Sequence, residues 1–221
     1  MSFVIKARTA LALGVPNLVR ALTYRLGVKT GLNPVRRLKG ERPTGPFFAL
    51  PSARETDPRL VASQAWLMSG RLFSRWPIDV TDSPPDWHSN PLTGKRVVAP
   101  EREWWRIPDF DPAVGDIKLI WETSRFDWVL PLAQRVRMGD VAAHERLERW
   151  LVDWSQRNPP YRGPNWKCGQ EASIRVMHLA MAAVVLGQVA SPEPGLLELV
   201  RLHLQRIEPT IRYAIAQDNN H

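Results

Sequence analysis

Polar and aromatic residues crowd into one short block of the chain, Asn158-Pro159-Pro160-Tyr161-Arg162-Gly163-Pro164-Asn165-Trp166-Lys167-Cys168-Gly169-Gln170-Glu171. The paired prolines stop any helix that precedes them, and the apolar run from Ala172 onward begins another. Tyr161, Arg162, Asn165, Trp166, Lys167 and Gln170 therefore fall at a helix N-terminus. Free N–H groups and the macrodipole at such an end favour anions, and Arg162 and Lys167 add formal charge. Glu171, Arg175 and His178 follow at spacings of four and three, a polar stripe on a helix that is otherwise mostly Ala, Ile, Val, Leu and Met. Taken alone, Glu171 and Arg175 read as a buried ion pair locking neighbouring loops. Together with the loop in front of them they read as a cavity wall that recognises an anion.

Other chemistries lack their spacing. The five histidines (88, 144, 178, 203, 221) form no HxH or HExxH pattern, and Asp109-x-Asp111 lacks the third acid and the glycine of a calcium loop, having Ala113 there. There is no Gly-rich phosphate loop and no GxSxG elbow. The single cysteine, Cys168, excludes an intramolecular disulfide framework and a Cys-rich zinc site. Neither a metal nor a cofactor is expected. The closing Ala216-Gln217-Asp218-Asn219-Asn220-His221 sets amides and an imidazole just past a helix, a signal that gains meaning only from its company.

The elements that must position this block are helical. Residues 117–138 carry Ile120, Trp121, Phe126, Trp128, Val129, Leu132 and Ala133 on a broad apolar face, and residues 140–156 place Leu147, Trp150, Leu151 and Trp154 at amphipathic helical spacing. Residues 169–187 are apolar nearly all round, which predicts a helix covered on both sides. Residues 194–207 and 209–217 complete the series, with Pro209 near the first turn of the last helix. The expectation is a mainly α fold, a partial α/α toroid of helical hairpins over residues 116–221. A basic helical arm and linker (1–46) and a Pro/Trp-rich irregular segment with short strands (47–115) precede it. Residues 3–30 read as one or two basic amphipathic helices. Residues 31–58, with Pro34, Pro43, Pro46 and Pro51, read as a linker wrapping over something, and residues 65–80 as short extended pieces, including 71–76.

Composition sets the outer limits. The 221 residues, 25.2 kDa, suffice for one good-sized domain or two small ones. A 44% hydrophobic content with ten tryptophans, all between residues 66 and 166, excludes a disordered chain. A mean hydropathy of -0.28 argues against a membrane-spanning helix. The +8 formal charge sits in residues 1–46, which hold nine Lys/Arg against Glu41 alone, and 24 of the 30 basic residues are arginine. Arginine favours planar contacts to carboxylate, sulfate or phosphate, so a polyanion or an anionic surface fits as partner. A nucleic-acid partner fits the charge but has no reader motif. As a signal peptide the start is poor: Lys6 and Arg8 precede the apolar stretch 9–19, but Pro16 and Asn17 interrupt it and Arg20 closes it.

Four blocks in order carry a resemblance: Trp87-His88-Ser89-Asn90-Pro91-Leu92-Thr93-Gly94-Lys95, Asp116-Ile117-Lys118-Leu119-Ile120-Trp121-Glu122-Thr123-Ser124-Arg125-Phe126, the block from Asn158 to Glu171, and the closing Asn219-Asn220-His221. Over roughly residues 20–221 the chain resembles the N-terminal region of the heparinase II/III-like polysaccharide lyases, including their alginate-lyase relatives. The opening Tyr24-Arg25-Leu26 and Asn33-Pro34-Val35-Arg36 resemble a subgroup associated with bacterial exopolysaccharide loci.

The resemblance implies an incomplete α/α toroid that precedes a β-sandwich in the full family, a periplasmic setting, and β-elimination on a uronate-containing polymer such as alginate, heparin, heparan sulfate or an exopolysaccharide. The acid's charge must be neutralised as the enolate-like intermediate forms. The family's Asn-His pair, which does this, matches Asn220 and His221, and its glutamine near the carboxylate matches Gln170. Tyr161, Arg162, Trp166, Lys167 and Arg175 are then candidates for substrate contact or support. The family's tyrosine base and a further histidine lie beyond His221, with no counterpart here. Alone, the chain is expected to have little or no lyase activity, and to leave residues 169–187 with an exposed apolar flank unless the C-terminal half is supplied. The alternative role is non-catalytic: a module that binds an anionic glycan or a membrane surface.

Overall fold

The computed structural model describes residues 3–53, 57, 59, 61–63, 69–72, 76–79 and 82–217. The fold is mainly α, as the periodicity predicts. Helix α1 (Phe3–Thr30) is broken at Gly14, whose φ is 73°, just ahead of Pro16. After an irregular stretch come α2 (Ile117–Thr123), α3 (Val129–Arg137), α4 (Val141–Arg157), α5 (Gly169–Leu186), α6 (Pro194–Ile207) and α7 (Ile211–Gln217). Helix α3 packs on both α4 and α5, α5 packs on α6, and α1 packs on α7. Strands β1 (Ser69–Leu72) and β2 (Trp76–Asp79) pair antiparallel, with Ser69 opposite Asp79 and Leu72 opposite Trp76. The extended stretch expected over 71–76 is thus parts of two strands of a hairpin. Among the described residues no helix is long and apolar enough to cross a membrane.

The helix starts follow local chemistry. Asp116 caps α2 through Lys118 N and Asp140 caps α4 through Ala143 N. Asn158, non-helical ahead of Pro159, ends α4 as expected. Helix α5 begins at a glycine because Thr210, between α6 and α7, rests on it: a Cβ on Gly169 would come within 2.3 Å of Thr210 Oγ1. This contact brings the start of α7 onto the first turn of α5.

The apolar run 117–138 is two helices, not one continuous face. The break at Ser124–Trp128 centres on Phe126, whose φ of 66° is unusual for a bulky residue. Phe126 is fully buried, edge-on to Trp154 at 4.9 Å. Helix α5 also departs from expectation: it is uncovered on one face, where Met177, Met181 and Val184 are 45–67% exposed. The exposed apolar flank is present.

Among the described residues six tryptophans (87, 104, 121, 150, 154, 166) are buried, and of these Trp87, Trp154 and Trp166 are inaccessible to solvent. Buried rings need partners for their N–H groups. Trp87 donates to Asp153 at 2.7 Å, Trp121 to the Pro164 carbonyl at 2.9 Å and Trp166 to the Asn158 carbonyl at 3.0 Å.

The linker does wrap over something. Residues 40–50 cross the helices, burying Phe47 and Phe48 completely. An irregular strap makes no ladder, so side chains must satisfy its backbone. Glu148 of α4 accepts from Phe47 N at 2.9 Å and Phe48 N at 2.8 Å, His144 Nε2 bonds the Phe48 carbonyl at 2.8 Å, and Gln188 binds both amide groups of Ala49. Glu148→Ala removes two charge-assisted hydrogen bonds and should cost roughly 2–4 kcal/mol, with Glu148→Gln costing less. Urea denaturation measures the loss, and proteolysis should cut first within residues 43–50; unchanged stability would show that the strap is held by Phe47 and Phe48 alone.

Candidate functional site

Two polar assemblies meet at the head of α5. The inner one centres on Arg175, which solvent does not reach. Its Nε donates to His203 Nε2 at 2.8 Å, Nη2 to the Asn165 carbonyl at 2.7 Å and Nη1 to the Ser124 carbonyl at 3.4 Å. The guanidinium lies 5.2 Å from the Trp154 ring centroid and 5.9 Å from that of Trp166. His203 donates from Nδ1 to the Leu199 carbonyl at 2.7 Å, which leaves the Nε2 lone pair facing Arg175. Burial, with the Arg175 charge beside it, holds the His203 pKa well below the usual imidazole value, so the ring is neutral. Burial lowers the Arg175 pKa to about 10, and the guanidinium remains charged at neutral pH.

The loop before α5 is built into the same knot. Asn165 Nδ2 donates to the Trp87 carbonyl and to Asn158 Oδ1, each at 2.9 Å. Asn158 Oδ1 also lies 3.0 Å from His88 Nε2, and Arg206 donates to the Trp166 carbonyl at 2.8 Å while stacking 4.5 Å over Trp104. Gly163 takes a φ of 78° and donates its N–H to the Arg102 carbonyl at 2.7 Å; a Cβ there would meet the Pro100 carbonyl oxygen at 2.5 Å.

Of the two roles open to the predicted residues, contact or support, burial leaves support for three. Trp166 and Arg175 are sealed, and Tyr161 is buried with its hydroxyl donating to Gln205 at 2.9 Å; burial pushes its pKa up to about 12. Lys167 bonds the Ile107 carbonyl and lies 2.7 Å from Asp109. Arg162 is exposed and donates to the Glu101 carbonyl at 2.7 Å. Gln170 is exposed at the top of the uncovered α5 face, in line with Met177, Met181 and Val184. Asn220 and His221 lie outside the described residues.

The outer assembly was not legible as a site. Glu171 does not pair with Arg175, as the four-residue spacing predicts; it pairs with Arg125 from the break between α2 and α3. Arg125 meets Glu171 through Nε at 2.8 Å and Nη2 at 2.9 Å, and Glu122 through Nη1 at 2.6 Å. The planar fork reaches both carboxylates, and Arg175 already has its acceptors. His178 Nδ1 lies 2.8 Å from the Arg125 carbonyl, which fixes the Nδ1–H tautomer and turns Nε2 into an acceptor. Asp127 completes the group. Solvent reaches this residue, yet the protein around its carboxyl raises its pKa, as does the nearby Glu122 carboxylate.

These residues set an imidazole, an acid and an anchored guanidinium beside the first half of α5, with the exposed Gln170 amide at its first turn. No group of three or more potential metal ligands occurs among the described residues. A separate hollow lined by Arg102, Arg106, Ile107, Asp111 and Ile117 has a volume of about 80 Å³, well below the ~300–1,000 Å³ of small-molecule pockets. No family model, curated protein or solved structure matches the chain.

The Asp127 shift has a pH signature. A carboxyl whose folded pKa is raised contributes stability that is full below its unfolded value and is lost as pH rises through the folded value. Asp127→Asn should therefore melt above the parent protein at neutral pH, with the gap closing below the ordinary carboxylate range. A gap that does not change with pH would contradict the crowded placement of Asp127.

Proposed function

We propose that the chain is the N-terminal helical part of an acidic-polysaccharide lyase of the heparinase II/III-like kind, built on an α/α toroid. The observation that carries this reading is the uncovered face of α5, apolar along its length and headed by Gln170 beside the Arg125 cluster. A toroid helix has this character where the next hairpins and a facing domain cover it, and substrate would lie across its head. The partner is a uronate-bearing chain such as alginate, heparan sulfate or an exopolysaccharide.

In the proposed reaction a base removes the proton next to the uronate carboxylate, a double bond forms, the glycosidic carbon–oxygen bond breaks and the departing oxygen takes up a proton. Asn220 and His221 are the proposed donors to the carboxylate, each worth on the order of a hundred- to a thousandfold in rate. The contact between Thr210 and Gly169 supports this, because the segment leading to them starts beside Gln170. Tyr161 and Tyr24 are held as neutral phenols at neutral pH. Burial raises the pKa of both Tyr161 and Tyr24, and the ring of Tyr24 stacks on that of Tyr213 at 4.3 Å. That burial favours a second reading for the chain by itself, glycan binding without chemistry.

Calorimetric titration with alginate and heparan sulfate oligosaccharides tests the site, alongside the ultraviolet absorbance of unsaturated uronates. The expected result is binding that Gln170→Ala weakens by about tenfold, the loss of a charge-assisted hydrogen bond, with absorbance no higher than a blank. Absence of binding to every uronate chain would overturn the glycan reading, and strong absorbance would show that these residues carry a base of their own. Sequencing beyond codon 221 separates lyase from binder: a frame continuing through a tyrosine-bearing helical segment into a β-rich half supports the enzyme, and a stop codon supports the binder.

A further inference from the structure

From Gly14 onward α1 has two faces. Its inner face is fixed: Tyr24 stacks on Tyr213 of α7 at 4.3 Å, and Arg25 Nη2 lies 3.5 Å from the Tyr213 hydroxyl. Arg36 closes the far end by donating to the Val28 and Lys29 carbonyls at 3.0 and 3.3 Å. The outer face is open. Val15, Val19, Leu22 and Leu26 are each 49–73% exposed, and at 3.6 residues per turn they fall within an arc of about 60° along about 17 Å of helix. Leu32, just beyond the helix, is equally bare. Lys29 borders the stripe, the exposed Arg25 stands between it and the inner face, and no acidic residue occurs anywhere in residues 1–40.

A firmly anchored helix that presents aliphatic side chains to water needs a covering that accepts both the stripe and the charge. A second copy of the chain would bury the stripe but set Arg25 and Lys29 against the same residues, with no carboxylate on either helix to relieve them. An acidic glycan would meet the charge and leave the valines and leucines wet. An anionic bilayer meets both demands, because acyl chains take up the stripe while headgroups neutralise basic side chains that snorkel toward them. We propose that the outer face of α1 lies in the plane of an anionic lipid surface, holding the helical body against it. This does not depend on the lyase reading.

Flotation of the full chain with phosphatidylcholine vesicles, with and without phosphatidylglycerol, tests the proposal. The chain should float with the phosphatidylglycerol vesicles and at least about tenfold less with neutral ones, and raised salt should weaken the binding. Leu22→Glu combined with Leu26→Glu should reduce binding by about tenfold or more, while circular dichroism stays unchanged because both side chains face solvent. Equal binding to neutral vesicles, no flotation, or full binding by the double variant would each overturn the proposal. So would a dimer in light scattering that the double variant dissolves, since a second copy would then occupy the face. If the double variant does not fold, the comparison of the two vesicle compositions with the unaltered chain still decides.

Discussion

A charged guanidinium sealed in the core is the constraint around which the helices are arranged. Leaving Arg175 unpaired in the interior would be severely destabilising. Among the described residues no carboxylate bonds to it. Its hydrogen bonds go instead to two carbonyl oxygens and an imidazole lone pair, among the faces of Trp154 and Trp166. Each acceptor demands something of the chain. Ser124 must stand at a helix break for its carbonyl to be free, Asn165 must be held in a loop, and His203 must stay neutral with Nδ1 protonated. One side chain on α5 thereby ties together the α2–α3 break, the loop after α4, and α6.

The break that supplies Arg175 with a carbonyl also assembles the outer cluster. Residues 124 to 128 leave helical geometry at Phe126, and the next carbonyl, that of Arg125, receives His178. The Arg125 side chain turns to Glu122 and Glu171, and Asp127 is left accessible at the rim. Inner knot and outer edge thus share one backbone irregularity, and the inner one makes the outer one rigid. Preorganised groups of this kind serve recognition because little ordering cost remains at the moment of binding. The proposed glycan site rests on that rigidity and on the bare face of α5 below Gln170.

Periodicity revealed the helices because their buried faces repeat at helical spacing, as Leu147, Trp150, Leu151 and Trp154 do on α4. The stop at Asn158-Pro159-Pro160 and the wrapping of residues 40–50 were legible for equally local reasons. What spacing does not carry is the choice among partners. Glu171 and Arg175 are neighbours on a helix surface, but each has a better partner from elsewhere, Arg125 for one and His203 for the other. The break at Phe126 was hidden because its residues are as apolar as a helix would require. Burial of Tyr161 and Trp166 was equally hidden, since an aromatic ring at a helix head looks the same in sequence whether it faces a ligand or the core. The i,i+3 spacing of Glu122 and Arg125, which do pair, was the local signal that pointed to the outer cluster.

The most direct measurement is the stability of Arg175→Lys in urea. Lysine keeps the charge and most of the length but loses the planar fork that serves three acceptors at once. If the guanidinium organises the head of α5, the variant should lose about 3–5 kcal/mol, the cost of breaking a buried charged contact set, or fail to fold cooperatively. A loss below about 1 kcal/mol, the range of a surface ion pair, would mean that Arg175 is merely accommodated by a core that other contacts hold together.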